Sequence, residues 1–199
     1  MQRLVWSSLS KGERQAALAR PAQRRDANVV ETVRRIFGDV ERDGEAAVAR
    51  WSKDIDGRAA DVLALTGAVV DRARAALAAE DMKAIEFAVD NVSFYHEATA
   101  PKPQVVEPAP GVRCTRLWRP IEACGLYVPA GSAPLVSTLI MLAAPARAAG
   151  VPNRVLVSPL KGDGETHPAL IVAAALCGVE RIYRVGGAQA IAALAYGTK

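Results

Sequence analysis

Two short turns in the second half of the chain combine residue types suited to holding a ligand. The first is Tyr127-Val128-Pro129-Ala130-Gly131-Ser132-Ala133-Pro134. Its glycine and serine permit close approach to the backbone, and Tyr127 offers a flat ring with a polar tip. The second is Val185-Gly186-Gly187-Ala188-Gln189-Ala190, where Gln189 can both give and accept hydrogen bonds. Each turn follows a short apolar run and precedes a helical pattern. In an open parallel sheet ligands bind at that place, because helix N-termini point free N–H groups outward beyond the strands. Neither turn matches GxGxxG, so the usual dinucleotide fingerprint is missing. From residue types alone, a ligand site and an ordinary strand-to-helix turn are both open readings.

Acid–base and metal chemistry have little to draw on. The chain has two histidines, His96 and His167, and three cysteines, Cys114, Cys124 and Cys177, with no CxxC spacing. His167 precedes Pro168 at a predicted helix start and reads as a local capping residue. His96 falls at a predicted helix end, where the dipole favours a charged imidazole. Two such histidines do not make a zinc site, and the thiols read as reduced and buried. No catalytic residue and no metal ligand is assigned.

The elements that would position the two turns follow from periodicity. Ser10 followed by Glu13 has capping-box spacing and opens a helix through about Ala19, which Pro21 ends. Val29, Val30, Val33, Ile36, Phe37 and Val40 recur at three-to-four spacing and predict a second helix, stopped near Gly44. A third runs from about Glu45 to Lys53 and is closed by Gly57. A strand or turn near Val62 to Leu65 leads to Thr66, which would cap a fourth helix. A fifth starts near Asp81 with Ile85, Ala88, Val89, Val92 and Tyr95 on its apolar face.

Residues 101 to 110 hold four prolines in ten positions and cannot form helix or central strand, which marks a boundary there. Beyond it the pattern alternates. Val112 to Trp118 and Cys124 to Val128 read as strands, then a helix runs from Leu135 to Ala149 with Pro145 inside it. Strand Val155 to Ser158, helix Pro168 to Leu176, strand Arg181 to Val185 and a last helix from about Gln189 follow. Short apolar strands separated by helices predict a parallel sheet with helices on its faces. The expected division is a mainly helical region over 1–110 and an α/β region over 111–199.

Composition fits this reading. The 199 residues are 51% hydrophobic and 23% charged, a balance that supports a packed core and argues against disorder. The net charge of +4 is too small and too scattered to imply nucleic acid. Residues 1–100 carry fifteen basic and sixteen acidic side chains, and 101–199 carry ten and five, so the halves differ in build. Residues 123–146 carry no charge, but Gly125, Pro129, Gly131 and Pro134 break the run, so no membrane span is expected. The first thirty residues show neither a secretory nor a transit pattern, which predicts a cytoplasmic protein.

The string GLYVPAGSAPLVSTLIMLAAPARAAG, Gly125 to Gly150, together with LCGVERIYRVGGAQAIAALAYGT, Leu176 to Thr198, closely resembles histidinol dehydrogenase. The likeness extends more weakly to LVWSSLSKGERQAALARPA and RDGEAAVARWSKDIDG in the first half. Ala130 is a departure, because the family commonly has a second glycine there, giving VPGG. The resemblance implies an α/β chain with a helical N-terminal region and an incomplete Rossmann-like parallel sheet with flanking helices. It implies oxidation of L-histidinol to L-histidine through a bound aldehyde, with two NAD and one zinc ion per cycle. Zinc would hold the substrate, while a glutamate and a histidine move protons. Tyr127 and Gln189 are the positions expected to contact NAD, and a full-length protein is expected to be a homodimer.

The family's PEH-like pair, QAEHD-like zinc segment and GPGN turn do not occur in these residues. The expectation is an amino-terminal portion, inactive alone, with about three parallel strands and a free sheet edge that a partner covers or that aggregates. Two other functions stay open: a non-catalytic NAD-binding or assembly module, and a relative that oxidises a different polar alcohol. At the residue level, Tyr127 as a packing ring and Gln189 as a helix cap are the plainer alternatives. Either residue sealed in the interior, remote from any cleft, would overturn the nucleotide reading.

Overall fold

The computed structural model describes residues 4–19, 27–129, 133–160 and 164–198. Pro21 and the Ala130, Gly131 and Ser132 positions of the first turn lie outside the described residues. The chain divides into two compact units, Met1–Arg34 and Arg35–Lys199.

In the first unit a 3₁₀ turn, Trp6–Ser8, leads into α1 (Lys11–Leu18). The predicted capping box is formed: the Ser10 hydroxyl accepts the Glu13 N–H at 3.3 Å, and the Glu13 carboxylate accepts the Ser10 N–H at 2.8 Å. Helix α2 (Ala27–Asp43) begins in this unit and continues into the second.

The second unit then runs α3 (Glu45–Asp56), β1 (Asp61–Ala64), α4 (Gly67–Ala75), α5 (Ala79–Ala98), β2 (Gln104–Ala109), β3 (Val112–Arg116) and β4 (Ala123–Tyr127). It continues α6 (Val136–Ala148), β5 (Asn153–Val157), α7 (Pro168–Leu176), β6 (Arg181–Arg184) and α8 (Gly187–Tyr196). The principal sheet has the order β1-β6-β5-β4. Strands β4, β5 and β6 are parallel, and β1 lies antiparallel to β6 with Asp61 opposite Arg184. The alternation of strand and helix therefore gives the α/β fold with the three parallel strands expected. The fourth strand enters from the chain's first half, and the boundary inferred near residue 110 falls inside this compact unit. Arg184 and Asp61 join the two strands further through a bidentate ion pair.

Side-chain alternation along the strands divides the interior between the two faces of the sheet. Leu63, Leu126, Val128, Leu156 and Ile182 point to the face covered by α4, α5, α6 and α7. Tyr127, Val155, Val157, Tyr183 and Val185 pack on the other, with α3, α8 and the Ile36–Val40 stretch of α2. Helix α7 is apolar all round and is buried from Ala169 through Ala174, as a helix enclosed by neighbours must be. His167 caps it as expected, its Nδ1 accepting the Ala169 N–H at 3.2 Å, with Pro168 at the first helical position. Arg147 of α6 ties this layer together by donating to the Leu176 carbonyl at 2.9 Å and the Ser93 hydroxyl at 2.8 Å.

Strands β2 and β3 form a separate two-stranded ribbon, exposed along its whole length. The proline-rich stretch thus contributes a strand, though not a central one. Its register is interrupted between Val106 and Ala109, where Pro108 lacks an N–H to give. Pro110-Gly111 makes the turn, with Gly111 at φ +78°, the geometry that a glycine after proline supplies.

Three expectations need correction. Of the thiols only Cys177 is buried; Cys124 is half-buried, and Cys114 is exposed because it lies on the ribbon. Tyr95 is exposed, as are Phe87 and Phe94, while α5 packs inward through Ile85, Val89 and Ser93. Thr66 precedes α4 as its N-cap residue, but its side chain makes no capping hydrogen bond.

Candidate functional site

The two turns singled out by composition meet at the carboxyl ends of the parallel strands. Tyr127 is the last residue of β4, and alternation directs its ring to the α3 and α8 side, where it packs half-buried against the cluster that holds Val157, Val185 and Ala190. Across β5 from it, α8 begins. The Gly187 N–H donates to the Tyr127 Oη at 3.2 Å, joining positions 60 residues apart. That bond satisfies one of the N–H groups that a helix start leaves without an intrahelical partner. The packing reading and the polar-tip reading of Tyr127 therefore both describe it.

Backbone space explains the glycines. A Cβ on Gly186 would lie 2.6 Å from the Pro159 Cβ, so the loops after β5 and β6 close together only with glycine there. Gly187 has φ +64°, and a Cβ on it would sit 2.6 Å from the Gln189 Oε1. Any other residue at 187 is strained and displaces the amide beneath it.

Gln189 has no exposed surface. It is not a helix cap, since the start of α8 has no side-chain capping bond. Instead its Nε2 donates to the Asp56 Oδ2 at 3.3 Å, and its Oε1 is buried with no hydrogen-bond partner. Asp56, the last residue of α3, lines a small cavity of about 10 Å³ with Ser52, Arg58, Pro159 and Arg184. Two further atoms around it, Ser52 Oγ and Arg58 Nε, are buried and unpartnered. Gln189 is thus sealed, and the space beside the carboxylate it bonds has room for about one water. Sequence reasoning missed Asp56; the signal was a carboxylate placed at a helix C-terminus, where the dipole opposes it.

On the same face of the sheet a second cavity of about 360 Å³ lies between α3 and α8, lined mainly by Val48, Ala60, Val155, Tyr183 and Leu194. Gly125 of β4 borders α8, its absent Cβ leaving room for the Leu194 methyl groups. Among the described residues no group of three or more His, Cys, Asp or Glu is placed to hold a metal ion. None of the described helices is long and apolar enough to cross a membrane.

Comparison with known proteins agrees with the motifs. The chain is 44% identical over 198 residues to the histidinol dehydrogenase of Xanthomonas campestris pv. campestris, covering all of this chain and 46% of that protein. It is 42% identical to the histidinol dehydrogenase of Colwellia psychrerythraea, with the same coverage. The crystal structure of histidinol dehydrogenase from Elizabethkingia anophelis superposes with a TM-score of 0.85 at 33% identity, over 96% of this chain and 44% of that one. The chain therefore spans about half the length of the relatives it matches. Because the model of the family described as histidinol dehydrogenase matches residues 18–199, across both turns and the strands that carry them, the chain belongs to that family.

Proposed function

We propose that this chain forms the NAD-binding part of a histidinol dehydrogenase that oxidises L-histidinol to L-histidine, with Tyr127 and Gln189 as cofactor contacts. The observation that carries this reading is the meeting of Tyr127 and Gly187 at the start of α8, beyond the parallel strands. Helix starts in that position favour the phosphates of a dinucleotide. The residues fit a dinucleotide: glycine backbone at 186 and 187 leaves room for its phosphates, while the phenol at the rim and the unpartnered amide oxygen beneath suit its hydroxyl or amide groups. Bound NAD would supply a hydride acceptor for the alcohol carbon. Tyr127 holds the first turn of α8 in place and presents its ring edge to the ligand. Gln189 is enclosed, its oxygen lying directly beneath Gly187.

Zinc does not fit the described residues, since no ligand set is assembled among them, and no step is derived through it. His167 is committed as a helix cap and His96 lies edge-on to Tyr95, so neither is offered as the proton-transfer group. The chain alone is accordingly inactive in this reading. The full-length protein is a cytoplasmic homodimer that takes L-histidinol, and it has no nucleic-acid partner.

Titration with NAD tests the first half of this reading. A ligand that binds only the folded chain raises its melting temperature, and about 1 mM NAD is expected to do so. No shift at that concentration overturns the assignment. An assay of the 199 residues with histidinol, NAD and zinc is expected to show no turnover, and turnover would overturn the division of labour.

A further inference from the structure

A glutamine amide has a donor end and an acceptor end of nearly the same shape, and its partners decide which end faces where. Gln189 is enclosed and half-partnered, its Nε2 bonded to Asp56 at 3.3 Å and its Oε1 to nothing. An ionised carboxylate only accepts, so Asp56 draws the NH₂ end toward itself. The oxygen is thereby turned under Gly187, 2.6 Å from where a Cβ would stand. Asp56 also sits where helix stability alone would not put it. It closes α3 just before Gly57, which adopts the left-handed conformation at φ +70°. An anion there opposes the dipole of α3, while Gln189 lies in the first turn of α8, whose dipole favours one.

We propose that Asp56 is a positioning residue that locks the Gln189 amide with its oxygen toward the ligand, so that the group received there is a hydrogen-bond donor. Within a dinucleotide that means a hydroxyl or an amide N–H, and not a phosphate oxygen. The inference rests on the reading of Gln189 as a cofactor contact.

The experiment titrates NAD calorimetrically into the wild-type chain and into D56A, D56E, Q189A and D56A/Q189A. D56A is expected to weaken binding about tenfold, the factor for one lost hydrogen bond. D56E, which restores an acceptor-only group, is expected to recover binding to within about threefold. The double variant is expected to bind within about twofold of Q189A, because the carboxylate acts only through the amide. D56A leaves the buried Gln189 NH₂ end without its partner, so its melting temperature is expected to fall, and D56E is expected to restore stability and affinity together, which a carboxylate without a role toward the ligand would not do for affinity. Should D56A fail to fold, D56N of the same shape takes its place, with an expected loss of about threefold because asparagine can present either end. NAD affinity unchanged in D56A but reduced in Q189A overturns the positioning role and leaves the cofactor reading standing. Losses that multiply in the double variant also overturn it. A wild-type chain that binds no NAD overturns the cofactor reading, and this inference with it.

Discussion

The two faces of the principal sheet are made from the same strands and do different work. On one, α7 and its neighbours bring apolar side chains together, and Leu139, Leu156, Val172 and Ile182 are almost wholly buried. On the other, α3 and α8 leave a cavity of about 360 Å³, and the strand ends carry Tyr127 and the two glycines. The buried polar atoms Ser52 Oγ and Gln189 Oε1 without partners also belong to this side. Close packing is the cheaper way to stabilise a sheet, since each buried unpartnered polar atom costs about 1–3 kcal/mol. The difference marks the α3–α8 face as the one where packing leaves space beside polar atoms without partners.

The sharpest test of that division is Leu156→Ala on the closed face. It should lower unfolding free energy by about 2–5 kcal/mol in a denaturant titration while the folded chain keeps its NAD affinity. A parallel loss of affinity would break the comparison. Gly187→Ala on the open face should do the reverse. The forced positive φ destabilises by only about 1–2 kcal/mol, but the displaced Gln189 should weaken NAD binding about tenfold in calorimetry.

Tyr127→Phe removes only the acceptor of the Gly187 N–H, and thermal unfolding should report a loss of about 0.5–1.5 kcal/mol. NAD should bind a few-fold more weakly as the start of α8 loosens. The smallest effect concerns pH. Burial on the closed face pushes the Cys177 thiol above its ordinary range, so the folded state holds that proton more tightly than the unfolded chain. Its contribution is therefore complete below the ordinary thiol pKa and is lost as pH rises through the raised value. Cys177→Ala should flatten the alkaline limb of a stability-versus-pH curve.

Much of this architecture was legible because local rules wrote it. The Ser10–Glu13 reciprocal bonds, the His167–Pro168 helix start and the Gly44 stop after α2 each depend on residues within a few positions of one another. The strands β4, β5 and β6 and the two turns at their ends were legible for the same reason. What periodicity could not reveal is partnership at a distance. Asp56 meets Gln189 across 133 positions, and Val62 to Leu65 read only as a strand or turn until β6 was seen beside it. The buried stripe of α5 runs through Ile85, Val89 and Ser93, and Tyr95, which period alone places beside Val92, lies off that stripe and stands in solvent. Strand β2 escaped notice because four prolines speak against a ladder, yet an outlying ribbon needs few of its N–H groups.

The antiparallel edge has a kinetic meaning. Strands β4, β5 and β6 join through crossovers of moderate length, but β1 must find β6 by closing a loop of 123 positions between Asp61 and Arg184. Loop-closure entropy makes such pairings late events. Until β1 docks, β6 keeps one flank of its backbone open, and a nascent or refolding chain is most vulnerable to intermolecular strand pairing during that interval.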